Sequence, residues 1–435
     1  MVRHRVQQCL FRDRPDRWNH ADEKVPANTH HDARRREALR YDHVGCASVF
    51  APDTPVPTRE SPGSAQPDAG EFSSLRPSYL YGCVFAAGRL TSRSAVGRES
   101  EPALWRRVRA GDRRAFAAAT ERYRRELQVH CYRMLGSLDE AEDLVQETYL
   151  RAWRRRDSYA GRATLRAWLY GIATNACLDA LDKRAVQNRL LPRAVEPAWD
   201  PRVAPPPASE LGWLEPYPDR LLDQVVDDQP ELDETIVARE TIELAFLVAI
   251  QRLPPKQRAV LILRDLLGWS ARETATTLGV TLVAANSALQ RARETLKLHL
   301  PERRLDWERQ APATAERELL DRYMDAWHRA DVDDLVALLR EDARLSMPPT
   351  TAWYDGREAI RTFLRGYPLA PTAPQHLHVL TAANRQPAFA VFAVDERGTR
   401  PLGVEVVRIE DGLIAEIELF REPRLIERFD VDAPT

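Results

Sequence analysis

Aromatic rings interleaved with cations stand out between residues 157 and 184, where Tyr159, Trp168 and Tyr170 lie among Arg162, Arg166, Lys183 and Arg184. That mixture suits an unpaired nucleic-acid strand, because rings stack on bases while guanidinium and ammonium groups follow the phosphates. Asn175 in the same run could read a base edge through its amide. Leu169 and Ile172 read as ordinary core, and Trp168 fits either role. A second polar set lies far along the chain, where Asn286, Gln290, Arg293 and Lys297 recur at helical spacing. Asn and Gln pair with adenine in a major groove, and Arg with guanine. A third set is acidic: Asp143, Gln146 and Glu147 fall on one helix face. That face is either a docking surface or merely solvated.

Each set needs an element to hold it. Ala141, Val145, Thr148 and Ala152 recur at i, i+4, i+7 and i+11, which predicts a helix over 139–154 that packs one face inward and leaves the acidic-amide face open. Ser270 followed by Glu273 forms a capping box. The helix it opens ends near Leu278, Gly279 supplies the turn, and another helix begins near Leu282. Two short helices around a glycine turn are the helix-turn-helix pattern, whose second helix lies in the major groove. Ala285, Leu289, Ala292 and Leu296 should face the core there, leaving the polar set outward. A solvated bundle helix has the same stripe; the turn and cap are what favour DNA.

The charge is uneven. Residues 101–193 carry 19 Lys/Arg against 12 Asp/Glu, 195–243 carry 3 against 13, and 251–300 carry 8 against 3. The net charge of -2 therefore conceals two basic blocks, suited to a polyanion, around an acidic one. Residues 1–98 lack sustained periodicity and read as a disordered tail or as sequence upstream of the true start. Helical patterning fills 99–190. A Pro-rich acidic linker spans 191–234, helices return over 235–300, and 301–314 form a second linker. Residues 315–435 read as helices followed by alternating strands at 389–394, 403–409 and 413–420, an α+β unit. Cys9, Cys46, Cys83, Cys131 and Cys177 form no CxxC pair, so neither a zinc site nor a disulfide framework is expected, and a reducing cytoplasm is the simplest home. No apolar run is long enough to span a bilayer, and Met1 opens no signal-peptide pattern.

The run HCYRMLGSLDEAEDLVQETYLRAWRRRDSYAGRATLRAWLYGIATNACLDALDKR resembles region 2 of the extracytoplasmic-function (ECF) sigma factors, nearly unbroken over its length. The resemblance implies that Asp143, Gln146 and Glu147 contact core RNA polymerase. It also implies that Ser158, Tyr159, Gly161, Arg162 and Thr164, with Trp168 and Asn175, capture the melted −10 promoter element. The segment LPPKQRAVLILRDLLGWSARETATTLGVTLVAANSALQRARETLKLHL resembles region 4 of the same family. That implies −35 duplex contacts at Asn286, Ser287, Gln290 and Arg291; Ala285 departs from the larger apolar residue usual there. WLEPYPD, residues 213–219, resembles the linker of a subgroup with a fused C-terminal domain. The C-terminal unit is similar to SnoaL-like cones of the nuclear-transport-factor type.

The implied architecture is multidomain: two all-α sigma domains, a region 2 bundle and a region 4 helix-turn-helix, plus a C-terminal α+β cone. Tyr323, Trp327, Met347, Trp353, Phe363, His376 and His378 could line a pocket in the cone or simply form its core, and a small-molecule ligand would bind in such a pocket. Sigma factors of this build resemble ones regulated in cis. No cofactor, metal or catalytic group is expected; Asp355 sits in a structural YDG turn. The acidic linker reads as a flexible tether or as a chain following the template-strand and RNA-exit path. Two other readings stay open. One is a small-molecule isomerase or cyclase with a DNA-binding regulatory portion. The other is an ordinary repressor or activator, for which a docking helix has no use.

Overall fold

The computed structural model describes residues 101–161, 163–183, 189–228, 242–300 and 313–434. The tail at 1–98, Arg162, Arg184 and the linker at 301–312 lie outside the described residues. The first bundle comprises α1 (Glu101–Arg109), α2 (Arg113–Thr120), α3 (Arg124–Leu135), α4 (Leu138–Arg154) and α5 (Leu165–Asp182). Gly136 takes a left-handed φ of 73° that ends α3, and Ser137 then caps α4. The buried face of α4 is Ala141, Val145, Thr148, Tyr149 and Ala152, as the spacing requires.

The described part of the acidic linker is packed against the fold. Leu191, Leu214, Tyr217 and Leu222 have no exposed surface. Burying them removes apolar area from water, worth about 1.5–3 kcal/mol per large side chain. The backbone N–H of Leu138 donates to the buried Glu215 carboxylate at 2.8 Å, and Tyr132 Oη donates to the Glu215 carbonyl at 2.6 Å. The linker's described part continues into α6 (Asp219–Asp228).

The second helical unit comprises α7 (Leu244–Gln251), α8 (Pro255–Leu261), α9 (Ala271–Leu278) and α10 (Leu282–His299). Both halves of the capping box form: Ser270 N donates to Glu273 at 2.8 Å, and Glu273 N to Ser270 Oγ at 3.1 Å. Gly279 takes the left-handed turn at φ 62°, and Thr281 caps α10.

The C-terminal cone has α11 (Ala313–His328), α12 (Val332–Ala337) and α13 (Arg357–Gly366). They pack on a sheet of β1 (Leu339–Ser346), β2 (Trp353–Asp355), β3 (Gln375–Ala383), β4 (Gln386–Asp395), β5 (Gly398–Glu410) and β6 (Leu413–Phe420), in spatial order β2-β1-β6-β5-β4-β3. Neighbours are antiparallel except β1 and β6. Gly403 has no room for a side chain, since a Cβ there would lie 1.9 Å from the Phe420 carbonyl oxygen. A 3-10 turn, Pro423–Arg428, follows.

Both faces of this sheet are buried. Phe389, Val391, Val407 and Ile417 belong to the cone's own core. Ala388, Ala390, Phe392, Val404 and Val406 join the core that runs through both helical units. The period of two in a strand sends alternate residues to opposite faces, and here each face finds its own cover.

Candidate nucleic-acid interface

On α4, Asp143 and Gln146 are exposed and Glu147 half-buried. Arg151 donates to Glu147 at 2.7 Å. Burial first, then the Asp139, Glu142 and Glu140 carboxylates, hold the Asp143 pKa above its ordinary value. Beside this face the cone reaches the helix. Arg424 donates to Asp139 at 2.9 Å, and Arg428 donates to Asp139 at 2.7 Å and to Glu142 at 3.0 Å. The acidic face thus already has a cationic partner from the far end of the chain, a contact that no local pattern announces.

The aromatic-cation run divides. Tyr159 is only 8% exposed, wedged between Trp105 at 4.8 Å and Trp168 at 5.3 Å between ring centroids. In this structure it packs as a core residue. Trp168 is half-buried in the same cluster, and Tyr170 is buried against Glu126. Arg166 pairs with that same Glu126 at 2.8 Å. Ser158, Gly161 and Thr164 are exposed, with Gly161 at φ 71° and Thr164 capping α5. Arg162 lies outside the described residues.

Asn175 does not face solvent freely. Its side-chain N–H donates to Gly171 O at 2.9 Å and to Thr277 O of α9 at 3.3 Å. The Thr277 carbonyl belongs to the last turn of α9, where carbonyls lack intrahelical partners. Gly171 lies against the same residue, with space for a Cβ only 3.3 Å from Thr277 Cγ2. One helix of the second unit therefore meets α5 at Gly171 and Asn175, while Ser158, Gly161 and Thr164 stay exposed.

Arg258, fully buried, fixes that arrangement. Its guanidinium donates to the carbonyls of Ile250, Gln251 and Leu253, to Gln251 Oε1, and across the interface to Met134 O. Gln251 also donates to Arg133 O at 3.0 Å. The last carbonyls of α7 and α3, which lack intrahelical partners, carry partial negative charge and suit the buried guanidinium. Desolvation pushes the Arg258 pKa down to about 9.

On α10, by contrast, Asn286, Gln290 and Arg291 are exposed and Ser287 half-buried. Ala285, Leu289, Ala292 and Leu296 are buried, as expected. Arg293 differs from the expected outward stripe: it makes a two-pronged pair with Asp265, at 2.9 and 2.7 Å.

Most of the residues that could line a cone pocket pack as core. Tyr323, Trp327, Met347, Phe363 and His378 are buried, and His376 is half-buried. Only Tyr323 and Trp327 of the expected residues line the cavity beside them, whose volume of about 10 Å³ suits one water molecule. Trp353 points elsewhere, donating through its indole to Glu196 O of the linker at 2.7 Å. The missed residue is Glu405, buried on β5 and accepting from Tyr323 Oη at 2.9 Å. Burial pushes its pKa up to about 7. In GVEVVRIE it reads as the outward member of an alternating strand.

The β3–β4 turn joins all parts. Asn384, with no exposed surface, accepts from Tyr217 N at 2.7 Å. It donates to Tyr132 Oη at 3.0 Å and to Ile242 O at 2.8 Å. One side chain thus engages the linker, the first bundle and the start of the second. On the linker's other side Arg193 reaches Glu416 and Glu418 of β6.

These elements describe a DNA-binding factor of two helical regions and a fused cone. Family models match in that order: Sigma-70 region 2 over residues 119–186, Sigma-70 region 4 over 243–296, and a SnoaL-like domain over 320–417. The ECF RNA polymerase sigma factor SigG of Mycobacterium tuberculosis is 40% identical over 378 residues, covering 83% of this chain and 97% of that protein. The ECF RNA polymerase sigma factor SigW of Bacillus subtilis is 29% identical over 195 residues, covering 45% and 94%. The crystal structure of the extracytoplasmic function sigma factor SigJ of Mycobacterium tuberculosis aligns with a TM-score of 0.43 at 21% identity, over 71% of this chain and 97% of that one. The chain belongs to the ECF family of RNA polymerase sigma factors, transcription factors that bind core polymerase and promoter DNA and direct initiation. No helix of the described residues is long and apolar enough to cross a membrane.

Proposed function

We propose that three surfaces divide the work of initiation and that the cone controls two of them in cis. Asp143, Gln146 and Glu147 dock on core polymerase. The segment 158–164, with Trp168 and Asn175, captures the unpaired −10 bases, Tyr159 supporting it from the core. Asn286, Ser287, Gln290 and Arg291 read the −35 duplex. The protein works in the cytoplasm, beside promoter DNA.

The observation that carries the control is the Asn175 bond to Thr277. An amide engaged by α9 is not available to a base. Reading the −10 element therefore requires region 4 to leave region 2; Asn384 ties region 2 to the start of region 4, while Arg424 and Arg428 fasten the C-terminal unit to region 2. Core polymerase or promoter DNA that prefers the open arrangement shifts the balance by that preference. A small-molecule ligand of the cone would have to reshape a tightly packed interior, so we assign the cone's control to its contacts with the helical regions and not to a bound ligand.

The test is transcription in vitro with limiting, matched amounts of folded full-length protein. An Arg424→Ala/Arg428→Ala variant and Asn384→Ala should each give more transcript per sigma than the wild type. Output at or below wild type in both would remove the case for inhibition in cis.

A further inference from the structure

Helix α10 carries three exposed aliphatic side chains, Leu282, Val283 and Leu298, of which the last two are the most open to solvent. Val283 is 75% exposed and Leu298 is 82% exposed. They differ in company. Counting along the helix, Val283 precedes Asn286, Ser287 and Gln290 by three, four and seven residues, so all four share one face. Val283 is the first member of that stripe, one turn ahead of its polar members. It sits directly after the Thr281 cap and Leu282, in the first turn of the helix. Leu298 lies fifteen residues further along, roughly 22 Å down the axis at the helical rise.

The first turn of a recognition helix is the part that comes nearest the base edges in the major groove. Its polar neighbours can offer hydrogen bonds to bases, but a valine can offer only a methyl surface. One base edge in that groove matches it: the 5-methyl group of thymine, the single apolar feature of the major-groove pattern. A β-branched residue suits the contact, since its χ1 is largely fixed in a helix and little rotamer freedom is lost on docking. Exposure in the free protein leaves that surface unsatisfied until DNA arrives.

We infer that Val283 is a specificity determinant that reads a thymine methyl at the −35 element. This rests on the assignment of α10 as the −35 reader. Holoenzyme assembled from the full chain and saturating core polymerase is used to select from promoter-length duplexes of random sequence, and the enriched upstream element becomes the probe. Wild type should require thymine at one position, and Val283→Ala should relax that position alone. Replacing that thymine by deoxyuracil removes only the methyl group. It should weaken wild-type binding about fourfold, the worth of one buried methyl-sized group. Val283→Ala should bind both duplexes equally, at the level of wild type on deoxyuracil. Leu298→Ala should behave as wild type, because its side chain lies beyond the reach of the same base pair.

Two failures are distinguishable. If Asn286→Ala and Gln290→Ala alter the enriched upstream element but Val283→Ala does not, or if deoxyuracil costs the wild type nothing, the inference about Val283 is wrong and α10 remains the reader. If none of the three variants alters that element, α10 is not the reader and both fall together. At 75% exposure, truncation of Val283 removes no packing on which folding depends, so the variants remain comparable.

Discussion

Helix α10 presents Asn286, Gln290 and Arg291 to solvent, whereas α5 has Asn175 hydrogen-bonded to the Thr277 carbonyl of α9. Both helices come from sequences that resemble DNA readers, and both have the composition for it. The difference lies in which side of region 4 turns inward. Helix α9 and the buried Arg258 hold region 4 against region 2, and Asn286, Gln290 and Arg291 of α10 stay in solvent. On the proposed function, a factor built this way would meet duplex DNA before a melted strand, and the Asn175 amide would become available only when α9 moves.

The strongest way to break this comparison is at Arg258. Arg258→Ala strands several buried carbonyls and Gln251 Oε1, each costing about 1–3 kcal/mol when left unpaired. Urea unfolding should show a loss of at least about 3 kcal/mol. Arg291→Ala on the exposed helix should stay within about 0.5 kcal/mol of wild type. Equal losses would mean that the two faces are not in different situations. Asn384→Ala comes next. It removes one acceptor and two donors from three segments, and a loss of about 2 kcal/mol is expected. Amide exchange should then quicken on the facing surfaces of α5 and α9 and stay unchanged on the first turns of α10. Exchange that quickens evenly would assign Asn384 to the cone's own stability.

A smaller effect should separate docking from folding. Charge reversal by Asp143→Lys with Glu147→Lys should weaken core recovery about tenfold, with the unfolding midpoint little changed because Asp143 is exposed and Glu147 only half-buried. Undiminished recovery of core would sink the docking assignment. The smallest effect concerns the cone. Glu405 has its pKa pushed by burial from near 4.5 to about 7, so the folded state holds its proton longer than the unfolded state does. Its contribution to stability is complete below about pH 4.5 and is lost as pH rises through about 7. Between pH 6 and 8 the wild type should lose about 1 kcal/mol relative to Glu405→Gln. A flat difference would mean that Glu405 ionises as an exposed carboxylate does. The response of Asn175 accessibility to the same pH change shows whether the cone interior is coupled to the reader.

The sequence by itself determined the local elements and much of their chemistry. Ser270, Glu273 and Gly279 specify the start and end of α9 through hydrogen bonds and dihedrals a few residues apart. The spacing of Ala141, Val145, Thr148 and Ala152 chose the inward face of α4, and that of Ala285, Leu289, Ala292 and Leu296 the inward face of α10. Periodicity says that a face is covered; it does not say by what. Only the tertiary structure decided that α9 covers Asn175, that the 3-10 turn at Pro423–Arg428 covers Asp139 and Glu142, and that the linker is packed. Arg258 is buried because five acceptors from separated residues converge on it. Asn384 sits in the β3–β4 turn, and its contacts depend on segments more than a hundred residues away. Glu405 was missed, and Trp353 set among the cone's interior residues, for the same reason. Strand alternation assigns a side chain to a face, but the partner that makes burial of a carboxylate or an indole tolerable arrives from elsewhere in the chain.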